Sequence, residues 1–423
     1  MASTYLTRTP SSAGNRKTFT ISAWFKKNPE GVQNIIYSNV SNESVYQFTT
    51  TGQINYYEYS GGYTSRLLTN ALLRDSSAWY HIVLAVDTTQ ATSSNRLKMY
   101  VNGEQVTSFS AATYPSQNFE SYNINNNSLQ TIGANNGADC FNGSMTHFHF
   151  IDGTAYPAST FGEVDSTSGI WKPNTSPSVT YGTNGFFLKM ENASAMGTDS
   201  SGNSNTFTVS GSLTKNQDTP NNNFATLNPL YVINASQMPT LTNGNTTGTS
   251  TSSGYNSGVA SIAPAGSGKY YSEHKLISGT GGWATNTYLG YNQTPSASPT
   301  SAPHDTNFFY GVLADGGARE GATNKAGYAG TWTSGDIIQL ALDLDNNRLY
   351  VGKNGLWADG SGNWDEANIN AYINLAASPA VAGENWFMMC GDKNTSTATW
   401  GNNFGNGYFG TTPVSSAGTN ASG

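Results

Sequence analysis

Glu163 and Asp165, in Glu163-Val-Asp165, are the carboxylates whose spacing is best suited to acid–base work on a glycosidic bond. Such chemistry needs a nucleophile and an acid held roughly 5 Å apart in a retaining enzyme. The set is incomplete, because Ser168 stands where a third carboxylate would complete a Glu-x-Asp-x-x-Glu strand. The pair therefore reads as a solvated turn. His147 and His149 alternate along one strand, so their side chains share a face and could ligate a metal together. No third ligand adjoins them, and they read as exposed or half-buried histidines with Phe148 and Phe150 facing the other way. His81, His274 and His304 stand isolated in the sequence. There is neither a Gly-x-Ser-x-Gly elbow nor a phosphate loop opening a helix. With no catalytic residues assigned, the expectation is a binding protein and not an enzyme. Its ligand-binding candidates are the aromatics of turn-rich segments, Tyr57 and Tyr63 in the first half, Trp283 and Tyr291 in the second. Aromatic faces stack on sugars and anchor interfaces at low entropic cost. Alternation puts Tyr56 on the face of Ile54, in the core, and leaves Tyr57 and Tyr59 on the other face.

Strands and turns must position these residues. The chain has 423 residues, of which 36% are hydrophobic, 12% aromatic and only 11% charged, with 46 glycines. Disordered chains are poor in aromatics, whereas 9 Trp and 24 Tyr suffice for sizeable cores. The net charge of −7 arises from sparse charges of both signs, with no basic run longer than Lys26-Lys27, so no nucleic-acid partner is expected. Neither an apolar leader nor a run of roughly 18 apolar residues occurs, so no membrane insertion is expected and synthesis in a cytoplasm is. Cys140 and Cys390 read as buried small hydrophobes.

Short alternating strands recur at Thr18–Phe25, Asn34–Tyr37, Val45–Thr49, Ile54–Tyr59, Trp79–Asp87, Leu97–Val101, Leu129–Gly133 and Ser144–Phe150. This spacing, punctuated by Gly, Asn and Ser, describes a sandwich. Asn102-Gly103 lies between two apolar runs and predicts a tight hairpin. Gly185–Met190 and Asn205–Ser210 are expected to close this first domain. The polar, Pro-containing Asn216–Asn223 opens an expected linker, after which the pattern resumes with a second hairpin at Asn354-Gly355. The fold class expected is all-β, two antiparallel sandwiches of the jelly-roll or concanavalin A-like kind with almost no helix. The domains are 1–215 and 236–423, and the linker is 216–235.

The first half resembles laminin-G-like, concanavalin A-type lectin sandwiches. The resemblance rests on Phe19–Trp24 with Ile35-Ile36-Tyr37-Ser38, on Trp79–Asp87 with Leu97–Gly103, and on Phe141–Gly153. It implies a calcium ion as an optional ligand, with Asp87, Asp139 and Asp199 as candidate ligands and Asn136, Asn203 and Asn205 nearby. The concanavalin A-type fold also carries glycoside hydrolases, and Glu163-Val-Asp165 begins like the catalytic strand of family 16 glucanases. The second half resembles an SPRY domain through Lys269–Glu273, Phe309–Val312 and Gly335–Asp345 with Leu349–Gly355, which implies protein binding through loops. Tyr5–Phe19 and Asp218–Pro229 resemble segments of structural proteins predicted in marine and cyanobacterial phages. That resemblance implies a virion surface protein made in a host bacterial cytoplasm, used for receptor binding or for capsid or tail decoration. Its partners would be other virion proteins or host glycan, and virion symmetry would make it a homo-oligomer. A virion depolymerase and a cellular calcium-dependent lectin are the alternatives.

Overall fold

The structure is a computed structural model that describes residues 4–28, 31–39, 41–231, 238–250, 255–280, 287–293, 306–365, 371–377, 380, 384–393 and 397–415. The chain divides into two compact units, Met1–Asn223 and Phe224–Gly423. Each is an antiparallel sandwich, and helix among the described residues is confined to two short 3-10 turns, Ser93–Asn95 and Ala158–Thr160. None is long and apolar enough to cross a membrane.

In the first unit an eight-stranded sheet runs in the order Phe109–Thr113, Tyr63–Thr69, Ile54–Tyr59, Glu43–Phe48, Gln33–Asn39, Gln130–Ile132, Tyr5–Arg8 and Thr208–Ser210. A six-stranded sheet runs Phe186–Leu188, Gly143–Asp152, Thr18–Lys27, Tyr80–Asp87, Leu97–Val101 and Glu104–Gln105. The inward residues expected from alternation, Phe19, Ile21, Ala23, Ile54 and Tyr56, join Phe25, Tyr46 and Phe48 in one core between the sheets. The two expected closing strands separate: Phe186–Leu188 joins the six-stranded sheet and Thr208–Ser210 the eight-stranded one. Asn102 (φ 49°) and Gly103 (φ 89°) make the predicted hairpin turn, with Val101 paired to Glu104. Positive φ at both central positions is what the Asn-Gly pair supplies.

Period-two burial fails on a central strand of the six-stranded sheet. Thr18–Phe25 should be half-buried, yet Thr20, Ser22 and Trp24 are as buried as the core positions between them. Residues beyond 153 supply a further layer that covers the outer face of the six-stranded sheet, where Trp171 packs on His81 and where Phe161 and Tyr181 pack on His149 beside its strand neighbour Phe187. The same cover corrects the reading of the histidines. His149 is buried, and a register irregularity between Thr146 and His149 leaves His147 at φ 49°.

Asn216–Asn223, expected as linker, packs onto the first unit. The Asp218 carboxylate accepts hydrogen bonds from Trp79 Nε1 (2.8 Å) and Lys26 Nζ (2.6 Å). Cys390 is buried, whereas Cys140 is only half-buried, and both are free thiols.

The second unit repeats the plan. One sheet holds Thr240–Thr242, Thr247–Thr249, Thr397–Asn403, Lys269–Thr280, Ile337–Asp343, Arg348–Lys353 and Leu356–Trp357, with Ile373–Asn374 beside Arg348–Lys353. The other holds Tyr255–Val259, Phe387–Lys393, Tyr288–Asn292, Phe309–Leu313, Ala318–Glu320 and Thr323–Lys325. Leu276, Leu289, Tyr310, Leu340, Leu349 and Trp400 are among the residues of the core between them.

Candidate functional site

The strand Ile54–Tyr59 sends its residues alternately to two faces of the eight-stranded sheet, and the difference between them defines the site. Inward, Tyr56 and Glu58 are fully buried. The Glu58 carboxylate accepts from Ser44 Oγ (2.6 Å), Tyr56 OH (2.9 Å), Ser121 Oγ (2.5 Å) and the Tyr122 amide (3.0 Å). Desolvation pushes its pKa up, and these four donors act against that shift. The carboxylate ties this strand to its neighbour and to the 121–122 loop.

Outward, Tyr57 lies opposite Val45 and Arg66, and Tyr59 opposite Glu43 and Tyr63, with a bulge at Glu58/Tyr59. The Tyr63 ring stands edge-on to Tyr57 (5.5 Å between centroids) and to Tyr59 (5.3 Å). The Arg66 guanidinium lies 4.4 Å from the Tyr63 centroid and donates from Nε to Asn55 Oδ1 (3.3 Å). Tyr57 OH donates to Glu43 (3.2 Å), and desolvation, followed by the nearby Glu43, pushes the phenol up. Tyr59 is 37% exposed and Tyr63, on the neighbouring strand, 44%, so hydrophobic ring surface faces solvent on and beside the pinned strand. Gly61 (φ 68°) and Gly62 make the adjoining turn, and space beside both is open. This cluster of three rings, a guanidinium and a carboxylate can stack on a sugar ring and hydrogen-bond its hydroxyls.

Residues 2–159 match the concanavalin A-like lectin/glucanases superfamily. No curated protein matches the chain. Among solved structures it is similar to the SPRY domain of human HERC1, at 17% identity over 40% of this chain and 90% of that one, with a TM-score of 0.28. It is also similar to domains LG4-5 of the mouse laminin alpha1 chain, at 10% identity over 94% and 91%, TM-score 0.28. A third is the carbohydrate-binding module CBM40 of the Ruminococcus gnavus IT-sialidase bound to alpha2,3 sialyllactose, at 15% identity over 32% and 83%, TM-score 0.22.

In the concanavalin A-like unit the structure therefore brings Tyr57 and Tyr63 together, and adds Tyr59, Arg66 and Glu43. Arg66 carried no sequence signal of its own; it lies three residues along the same strand from Tyr63, opposite Tyr57, and its guanidinium folds back over the Tyr63 ring. In the second unit Tyr291 departs from expectation. Its strand is central, flanked by Phe309–Leu313 and Phe387–Lys393, so all five of its residues are buried and the ring points into the core. Desolvation pushes its phenol up to about 12. Trp283 lies outside the described residues.

The candidate calcium ligands serve as turn-formers. Asp199 accepts from the amides of Phe187, Ser201 and Asn205 and from Ser201 Oγ, all within 2.8 Å. Asp87 accepts from Thr89 N, Thr89 Oγ1 and Gln90 Nε2. Asp139 sits exposed at φ 46° in a separate turn, where its carbonyl accepts from Asn34. A cation at Asp87 or Asp199 would have to displace these donors. Among the described residues, no group of three His, Cys, Asp or Glu is placed to hold a metal.

Glu163 and Asp165, the carboxylates weighed for acid–base work, both face Lys172, whose Nζ lies 3.5 and 3.0 Å from them. Asp165 accepts from Ser168 N (2.8 Å), Thr167 N (3.0 Å) and Lys172 Nζ (3.0 Å), which hold its carboxyl well below the usual range at an exposed turn. Ser22 Oγ lies 2.9 Å from His81 Nε2, but Trp171 Nε1 donates to His81 Nδ1 (3.1 Å). An accepting Nδ1 leaves the proton on Nε2, so His81 donates to Ser22 and cannot act as its base. Burial brings His81 down to about 3.

His274, isolated in sequence, proves to join a Ser–His–Asn array. Nε2 lies 2.8 Å from Ser272 Oγ, and Nδ1 2.7 Å from Asn402 Oδ1, whose amide is oriented by Nδ2 donating to Thr246 O. That order of groups resembles nucleophile, base and orienter. All three are buried, however, and burial lowers His274 to about 4, so the array holds strands of the second unit together.

Proposed function

We propose that this chain is a non-enzymatic binding protein that takes glycan on the tyrosine face of its concanavalin A-like unit. Tyr63 and Tyr59 are the stacking surfaces, and Arg66, Glu43 and Tyr57 are the groups that select hydroxyl geometry. The observation that carries this reading is the concentration of exposed ring surface over a strand pinned from behind by Glu58. An arrangement held rigid before the ligand arrives loses less entropy on binding. We further propose that the protein belongs to the surface of a bacteriophage particle. There it would meet host glycan or neighbouring virion proteins and repeat by virion symmetry. Support for that setting comes from the likeness of residues 5–19 and 218–229 to phage structural proteins.

A panel of bacterial surface polysaccharides, tested against the wild-type chain and Tyr63→Ala, checks the ligand. Losing one stacking ring should weaken binding by about 1–3 kcal/mol, roughly 5- to 150-fold. Equal binding by both proteins would remove the site assignment. Release of oligosaccharide, read as new reducing ends, would overturn the non-enzymatic reading. Electron microscopy of purified particles tests the setting, which fails if the protein is missing from them.

A further inference from the structure

The group that ties residues 216–223 to the first unit contains a nucleophile, an acyl group and a proton carrier. Lys26 Nζ lies 2.6 Å from Asp218 Oδ2 and 2.7 Å from Asn223 Oδ1. The Lys26 and Asp218 side chains are only 4% and 6% exposed. Trp79 Nε1 holds the second Asp218 oxygen at 2.8 Å, and Asn223 Nδ2 donates to Ser77 O at 2.7 Å. These two hydrogen bonds set the resting orientation of the Asn223 amide, with its oxygen turned to the amine. A buried ion pair would explain Lys26 and Asp218; it does not require a carboxamide on the same amine. Because Oδ1 is in hydrogen-bond contact with Nζ, Cγ lies one C=O bond beyond, close to the roughly 3–3.5 Å from which attack begins.

We propose that Lys26 and Asn223 become joined by a side-chain amide bond, formed autocatalytically with Asp218 as the proton carrier. Burial favours the neutral amine of Lys26, and a proton passes from Nζ to the Asp218 carboxylate. A turn of the Asn223 amide about its Cβ–Cγ bond, exchanging the Ser77 carbonyl for water at its exposed Nδ2, brings Cγ face-on to the amine. The Nζ lone pair forms the Nζ–Cγ bond while the carbonyl electrons move onto Oδ1. Asp218 gives its proton to Nδ2 and takes one from Nζ. The carbonyl re-forms, the Cγ–Nδ2 bond breaks, and ammonia leaves on the exposed side of Asn223, taking the proton that Asp218 still holds. Nothing is oxidised or reduced, and no co-reactant is needed. The bond would close a loop between residues 197 apart, from a central strand of the six-stranded sheet to the last residue of the first unit. Tension applied through the second unit would then reach that sheet without peeling away the intervening segment.

The test is the intact mass of the full-length chain under denaturing conditions, followed by proteolysis and fragment sequencing. The expected result is a mass lower by one ammonia and a branched peptide joining Lys26 to Asn223. Both should vanish in Lys26→Arg and Asn223→Ala, and Asp218→Ala should leave the two residues unjoined. An unchanged mass overturns the proposal. So does loss of an ammonia that maps to a cyclised Asn-Gly site, or loss of one water, which would place the bond at Asp218. If a variant fails to fold, the wild-type branched peptide still decides. Glycan binding by Tyr63 is read separately, so neither result depends on the other.

Discussion

Replacing Glu58 by Ala removes the acceptor for four buried donors at once: the hydroxyls of Ser44, Tyr56 and Ser121 and the Tyr122 amide. A buried donor left without a partner costs about 1–3 kcal/mol. Hydroxyls can rotate toward other acceptors, so the lower end applies, and four such losses come to about 4 kcal/mol. In a unit of this size each kcal/mol lowers Tm by about 2–4 °C, so the first unit's unfolding should move down by about 8–16 °C. Calorimetry of the full chain, with the second unit's transition as internal reference, measures it. Glu58→Gln should fall between, because it keeps one acceptor oxygen and turns an amide NH2 toward the donors. A change under about 3 °C would refute the claim that the carboxylate pins this strand. The same variant should weaken glycan binding even though Glu58 lies on the inner face, since Tyr57 and Tyr59 flank it in the strand.

Buried neutral histidines should make both units acid-sensitive. His81 and His274 are held at about 3 and about 4 in the fold. In the unfolded chain their pKa is about 6.5, so their contribution is whole above that pH and is lost as pH falls toward the folded values. The stability advantage of wild type over His81→Gln and His274→Gln, followed by denaturant midpoints, should shrink below about pH 6.5; a constant advantage would count against this. Asp392 runs the other way. Desolvation raises it to about 7, so the protonated acid suits the fold, and stability is lost as pH rises from about 4 to about 7. Asp392→Asn should therefore gain on wild type across that window, and a difference independent of pH would exclude the mechanism.

What was legible in the sequence followed from local physics. Alternation identified the inward faces of Thr18–Phe25 and Ile54–Tyr59, because side-chain direction in a strand depends only on parity. Asn102-Gly103 specified its hairpin, because positive φ at two consecutive residues selects those types. The same parity sent Tyr57 and Tyr59 outward. Parity could not say whether an outward face stays open. Residues beyond 153 fold back over the six-stranded sheet and bury His149, Ser22 and Trp24, and the central place of Tyr288–Asn292 in its sheet buries Tyr291.

The sequence by itself therefore determined strands, turns and the side of each strand on which a residue lies, all consequences of neighbouring residues. Only the tertiary structure decided which face is covered and which distant groups meet. Arg66 opposite Tyr57, Asp218 on Lys26 and Asn402 on His274 come from strand register and chain return, and pairings between separate segments leave no local pattern to read.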